Sequence, residues 1–253
     1  MAYREFAYFY DELNEDADYD ALFQYVKQQL DNHAVQQGVV VDLGCGTGDL
    51  TLMLTQAGYD IIGVDQSAEM LSVLREKADE LELSDRLLLI QQDILKLDLY
   101  GSIRAAVSTF DTFNHIGPSS QFEKAIERVS LFMEHGGIFV FDLNTPYKHR
   151  EILANHVFEI EGPDAYCRWE NNNDEAHQRV QIAIDVHYKE TDEHFEEQFY
   201  EYTYPLEYVQ EVLQRYGFAV EKVCDGETFG DLTQESQRYM ITAIKQFTQM
   251  ESE

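Results

Sequence analysis

The chain has 253 residues, 44% hydrophobic and 13% aromatic, which supports one large α/β domain or a domain with a substantial insertion and excludes wholesale disorder. Its 18 Lys plus Arg face 48 Asp plus Glu, a formal net charge of -30. That surface repels phosphate backbones, and the densest basic run, Lys148-His149-Arg150, is short and abuts Glu151, so DNA is excluded as a partner and RNA disfavoured.

In chain order, residues 19–31 place Leu22, Phe23, Val26 and Leu30 at helical spacing. Residues 38–44 (GVVVDLG) read as a strand buried on both faces that ends in a Gly-rich turn, followed by a helix over 49–57 that stops at Gly58. A second strand spans 61–65, and Ser67 caps a helix to about residue 81 with Glu69 in its first turn. Residues 87–90 and 105–109 give two more strands. Ser120-x-x-Glu123 reads as a capping box opening a helix that runs to Gly136-Gly137, and 138–143 (IFVFDL) is a fifth strand.

From 155 to 204 the rhythm changes. Aromatic and β-branched residues alternate with polar ones between turn-formers such as Gly162-Pro163 and Asn171-Asn172-Asn173-Asp174, which predicts three or four antiparallel strands. A helix over 206–216 and strands at 218–223 and 238–244 close the chain. The expected architecture is α/β: a Rossmann-like, seven-stranded, mostly parallel sheet with helices on both faces, plus an inserted antiparallel β cap. Residues 1–150 and 205–253 are the expected core, and 151–204 the insertion, either a lid over the site or a homodimer surface. Cys45, Cys167 and Cys224 are scattered, so reduced thiols without disulfide or zinc are expected. No leader-like apolar stretch or membrane-length segment occurs, so the expected location is cytoplasmic and no membrane partner is expected.

The loop Asp42-Leu43-Gly44-Cys45-Gly46-Thr47-Gly48 lets backbone approach a ligand closely, and Asp65 ends the next strand where it can accept from both hydroxyls of a ribose. A dinucleotide fingerprint needs a small residue at position 49, which is Asp49. An acidic helix start also opposes a pyrophosphate, whereas Asp42 and Asp49 suit a cationic ligand.

These stretches resemble class I methyltransferases dependent on S-adenosylmethionine (SAM). V-V-V-D-L-G-C-G-T-G is similar to their first motif, with the loop residues Asp42, Gly44, Cys45, Gly46, Thr47 and Gly48 on the cofactor. G-V-D-Q-S-A-E-M-L is similar to the second, which implies Asp65 on the ribose and Gln66 and Met70 near the adenine. Q-Q-D-I-L is similar to the third, which implies Asp93 on the adenine amino group and Ile94 on its ring; Thr109 and Phe110 close the cofactor set. The flanking F-A-x-x-Y-D-x-L (Phe6 to Leu13), D-T-F-N-H-I and D-L-N-T-P-Y-K resemble a bacterial branch similar to glycine N-methyltransferases and aminosugar N,N-dimethyltransferases. That resemblance implies a small-molecule amine acceptor, which the acidic composition suits if it is cationic. His115 then lines the acceptor site as the proton acceptor, and Tyr10 lies near the sulfonium.

Plainer assignments compete. Each of Asp42, Asp65 and Asp93 can cap a turn after a strand, His115 can bond its own turn, and Tyr10 can be core packing. Trp169 and the cap tyrosines can be sheet packing or an amine cage. The rival functions are an NAD-linked oxidoreductase, methylation of a protein or RNA, and a SAM-binding regulator without catalysis.

Overall fold

The computed structural model describes residues 7, 10, 11, 14, 17–35, 38–162, 165–189, 191 and 194–246. Tyr3, Phe6, Tyr8, Phe9, Leu13 and Pro163 lie outside these.

The described chain runs α1 (Tyr19–Asn32), β1 (Val39–Leu43), α2 (Asp49–Gln56), β2 (Asp60–Asp65), α3 (Ala68–Glu80), β3 (Leu87–Gln91), β4 (Ile103–Ser108), α4 (Ser119–Phe132) and β5 (Met133–Asn144). Then come β6 (Val157–Glu161), β7 (Ala165–Asp174), β8 (Arg179–Tyr188), β9 (His194–Tyr202), α5 (Leu206–Arg215), β10 (Phe218–Asp225) and β11 (Arg238–Lys245). One sheet has the order β10-β11-β5-β4-β1-β2-β3, and a second has the order β6-β7-β8-β9. In the first, β5, β4, β1, β2 and β3 are parallel neighbours, while β11 is antiparallel to both β5 and β10.

The inner apolar strands β1, β4 and β5 are buried on both faces, as a parallel sheet between helices requires, while the edge strand β3 leaves Leu88 exposed. Val41, Leu43, Phe139 and Phe141 face Phe122, Ile126 and Val129 of α4 and Val209 and Leu213 of α5. Their chain neighbours Val40, Ile138 and Val140 face Leu22, Val26 and Leu30 of α1 and Leu50 and Leu54 of α2. Parallel register brings the carboxyl ends of β1 to β5 to one edge, where ligands bind in open α/β sheets. Because β11 runs the other way, its first residue, Arg238, pairs with Asn144 at the end of β5 and arrives at that same edge. The second sheet seats Cys167, Val180, Ile182 and Val186 on Met70 and Val73 of α3 and on Leu153, so it stands beside that edge.

Two local expectations are corrected. Helix α4 begins after Pro118, which has neither a side-chain acceptor nor an N–H for a capping box, so Ser120 lies inside the helix and Glu123 accepts instead from Arg215 Nη1 (2.7 Å) and the Tyr216 hydroxyl (3.0 Å) of the α5 end. It also stops at Phe132, and Gly136-Gly137 belong to an irregular start of β5, where a Cβ on Gly137 would lie 2.8 Å from the Arg104 carbonyl oxygen.

The loop after β4 is anchored from below. Phe113, fully buried, lies with its ring centroid 5.5 Å from both Phe139 and Phe141. The Tyr204 hydroxyl, also buried, donates to the carbonyl oxygens of Phe113 and Gly117. Tyr204→Phe leaves those carbonyls short of a donor and is expected to lower the unfolding free energy by about 1–3 kcal/mol. Urea denaturation measures it; an unchanged midpoint would show that the hydroxyl anchors nothing.

Candidate active site

The strand ends enclose a cleft of about 790 Å³. One end is built by the β1, β2 and β3 loops. Gly44 N–H donates to the Val64 carbonyl (2.7 Å), folding the Gly-rich turn back over β2. Gly46 has φ +52° and its missing Cβ would meet nothing nearer than the Tyr10 ring at 4.0 Å, so bare backbone faces the cleft there. Asp65 accepts from Gly46 N–H (3.0 Å) and Ser67 N–H (2.8 Å) and lines the cleft. Burial pushes its pKa up and outweighs the amides of Ser67, Gly46 and Gln66, which pull it down.

The cleft brings together Tyr10, Gly44, Gly46, Asp65, Gln66, Met70, Asp93, Ile94, Phe110 and His115 of the expected set. The others, Asp42, Cys45, Thr47, Gly48 and Thr109, line a smaller recess beside the glycine loop. Asp42 is buried and accepts from the Thr51 hydroxyl, and burial raises its pKa to about 6. Thr47 donates to Asp11 (2.6 Å). Asp93 accepts from Leu95 N–H (2.9 Å), so it does cap its turn while lining the cleft. Asp49 lines the smaller recess and shares Lys77 Nζ with Asp11, at 3.1 and 2.8 Å. Tyr10 packs on the α3 cluster, and burial first, then Asp111, lifts its pKa well above the usual value, which keeps it a neutral phenol.

The other end is built by the loops after β4 and β5, by β9 and by β11. Phe110 and Asp111 both take left-handed backbone, φ +54° and +53°, which costs about 1–2 kcal/mol per non-glycine residue. Asp142 stabilises it by accepting both their N–H groups, at 2.9 and 2.7 Å. Arg238 joins the pair, with Nη1 on Asp142 (2.7 Å) and Nη2 on Asp111 (3.2 Å), and lies over the Phe110 ring. The other Asp111 oxygen faces His115 Nε2 at 3.4 Å. The imidazole stays 38% exposed to the cleft, with its ring 5.2 Å from Phe199.

Glu201, 3% exposed, brings a carboxylate within 4.8 Å of the Asp111 and His115 ligand atoms. Its Oε2 accepts from Asn144 Nδ2 (2.9 Å) and faces His149 Nε2 (3.2 Å). Trp169 and Phe199 complete the wall, and Trp169 Nε1 donates to Asn171. Burial alone would pull the His115 pKa down, but Asp111, Glu201 and Glu197 raise it on balance above its ordinary value. Sequence reading missed Asp111, Asp142, Glu201 and Arg238 as site residues; the first two lie in the quoted D-T-F-N-H-I and D-L-N-T-P-Y-K stretches, while the last two carry no local signal.

A family model described as a methyltransferase domain matches residues 40–137. Over the whole length, the chain is 25% identical to an S-adenosylmethionine-dependent methyltransferase from Clostridium acetobutylicum, with 97% of this chain and 99% of that one covered and a TM-score of 0.87. The chain carries a methyltransferase domain over those residues and is similar along its length to a SAM-dependent methyltransferase. It is also 28% identical to YqeM of Bacillus subtilis (strain 168), whose name calls it a methyltransferase, over 98% of this chain and 99% of that one. The fold is shared with the sugar N-methyltransferase KedS8 of Streptoalloteichus, at 16% identity, 95% and 93% coverage and TM-score 0.76.

The cofactor of this methyltransferase is SAM, and the donor set fits it. Carboxylates Asp65 and Asp93 and bare Gly46 backbone line the glycine-loop end, while the cleft's cations Arg238 and Lys148 lie at the other end. That suits a sulfonium and ammonium ligand better than a pyrophosphate.

Pairing raises the folded-state pKa of His115, so its stabilising contribution is complete below the unfolded pKa of about 6.5 and is lost as pH rises through the folded pKa. Asp111→Asn is therefore expected to lower the His115 pKa, and to lose stability against wild type by an amount that shrinks as pH rises. Histidine NMR titration reads the shift; an unmoved His115 titration would contradict the pairing.

Proposed function

We propose that this methyltransferase transfers the methyl group to an amine nitrogen of a small-molecule acceptor, and that His115 takes the proton released. The observation that carries the reading is the His115–Asp111 pair, open to the cleft beside a second carboxylate, Glu201. Two structures sharing the fold, KedS8 and an amino pentose methyltransferase of Micromonospora echinaspora, carry names that specify sugar N-methylation and amino-sugar methylation, which supports the same class here.

SAM supplies an electrophilic methyl on a sulfonium. The residues align the acceptor: its nitrogen lone pair must point along the carbon–sulfur bond, with water excluded. Methylation would leave the acceptor nitrogen with a proton to lose, and neutral His115 would accept it. The cofactor residues are proposed as Asp42, Gly44, Cys45, Gly46, Thr47, Gly48, Asp65, Gln66, Met70, Asp93, Ile94, Thr109 and Phe110, with Tyr10 as a neutral phenol near the sulfonium. Residues 1–150 and 205–253 form the proposed SAM-binding core, and 151–204 the cap that selects the acceptor through Trp169, Phe199 and Glu201.

His115→Ala is expected to lower kcat by about 10²–10⁴-fold on the amine acceptor while leaving SAM affinity unchanged. The wild-type rate should rise with pH through the raised His115 pKa, and this acid limb should move to lower pH in Asp111→Asn. Release of S-adenosylhomocysteine against an amine panel is the assay; full turnover by His115→Ala would remove the proposed base.

A further inference from the structure

The motif Asp142-Leu143-Asn144-Thr145-Pro146-Tyr147-Lys148 ends in a cation that methyl transfer itself does not use. Lys148 opens the turn after β5, where its N–H donates to Thr145 Oγ1 (3.0 Å), and that hydroxyl is itself held by donating to the Ser236 carbonyl (2.8 Å). The ammonium is half-buried and lines the cleft. Its one hydrogen bond among the described residues goes to a neutral atom, Asn144 Oδ1, at 3.0 Å, and no carboxylate of the described residues lies within ion-pair distance. The other cleft cation, Arg238, is committed to Asp142 and Asp111, and His115 faces Asp111. Lys148 acts on Asp111 only at longer range, so in a chain with 48 acidic residues against 18 basic ones its ammonium keeps N–H donors that no carboxylate among the described residues takes up.

The same Asn144 amide holds Glu201 through Nδ2 at 2.9 Å, and Asn144 is itself buried and fixed by Asn114, whose Oδ1 accepts the Asn144 N–H (2.9 Å). A positive and a negative group are thus mounted on the two ends of one immobile amide, both lining the acceptor end of the cleft. Glu201, Asp111 and His115 surround a position suited to an amine, and Lys148 lies beside it.

The geometry points to an acceptor that carries an anionic group, carboxylate or phosphate, a short spacer away from the amine, and to Lys148 as the residue that binds it. This rests on the reading of the cleft as a methyl-acceptor site. Asn144 Oδ1 takes one of the three Lys148 N–H donors and fixes the ammonium, the other two are left for the anion, and Asp111 and Glu201 repel an anion placed at the amine position, which sets the orientation of the acceptor.

The test uses the full chain saturated with S-adenosylhomocysteine, titrated with sodium acetate or inorganic phosphate at constant ionic strength. NMR shifts of the Lys148 amide and the His115 ring report binding. One anion should give a saturable shift in wild type and in Lys148→Arg, and bind at least about tenfold more weakly in Lys148→Met. Saturation by acetate assigns a carboxylate acceptor, and by phosphate a phosphoryl one. Unchanged S-adenosylhomocysteine affinity in Lys148→Met shows that the variant is folded. Neither anion saturating, or Lys148→Met binding as wild type does, overturns the proposal. No amine enters the experiment, so a failed amine assay with intact anion binding would sink the amine reading alone.

Discussion

Arg238 is the point on which the acceptor end of this site depends. Its guanidinium binds Asp142 and Asp111, and Asp142 in turn holds the left-handed Phe110-Asp111 turn from which Asp111 reaches His115. Removing one member of such a buried ion network leaves its partner charged and unpaired, which typically costs about 3–5 kcal/mol. The topology makes the arrangement available. Only a strand running against its neighbours delivers its first residue to the carboxyl edge of a parallel sheet, and β11 is that strand.

The two ends of the cleft follow opposite electrostatic rules. At the glycine loop, carboxylates meet backbone amides and few cations, an environment for a positively charged cofactor. Lys77 of α3 offsets one of the two charges of Asp49 and Asp11, and Asp65, Asp42 and Asp93 add to the acidity there. At the far end, Asp111, Asp142 and Glu201 are interleaved with Arg238, Lys148 and His115, and the balance is close to neutral. A site of that kind selects by the placement of charges rather than by their sum.

The parts legible in the sequence are those whose cause is local. The glycine loop, Asp65 and the Ser67 cap lie within single strand–turn–helix units, and Met70 N–H does donate to Ser67 Oγ (3.1 Å). Continuous apolar runs set the parallel strands apart from the alternating antiparallel ones because each strand's burial is set by its own layer. What was not legible depends on distant partners. Glu123 looked like a capping residue until Arg215, 92 positions later, took its carboxylate. Glu201 and Arg238 have no motif around them and gain meaning only through Asn144 and Asp111. The Lys148-His149-Arg150 run reads only as a basic stretch too short for nucleic acid, whereas the structure buries His149 against Glu201 and turns Lys148 into the cleft.

The most direct test of the account is calorimetric titration of the purified chain with SAM, S-adenosylhomocysteine and NAD⁺ in parallel, in wild type and Asp65→Ala. Both sulfur nucleosides should bind wild type, with affinity falling about 10- to 100-fold in Asp65→Ala as the charged acceptor for the ribose hydroxyls is lost. Binding of NAD⁺ with no response to either sulfur nucleoside would contradict the account and make the glycine loop a dinucleotide site.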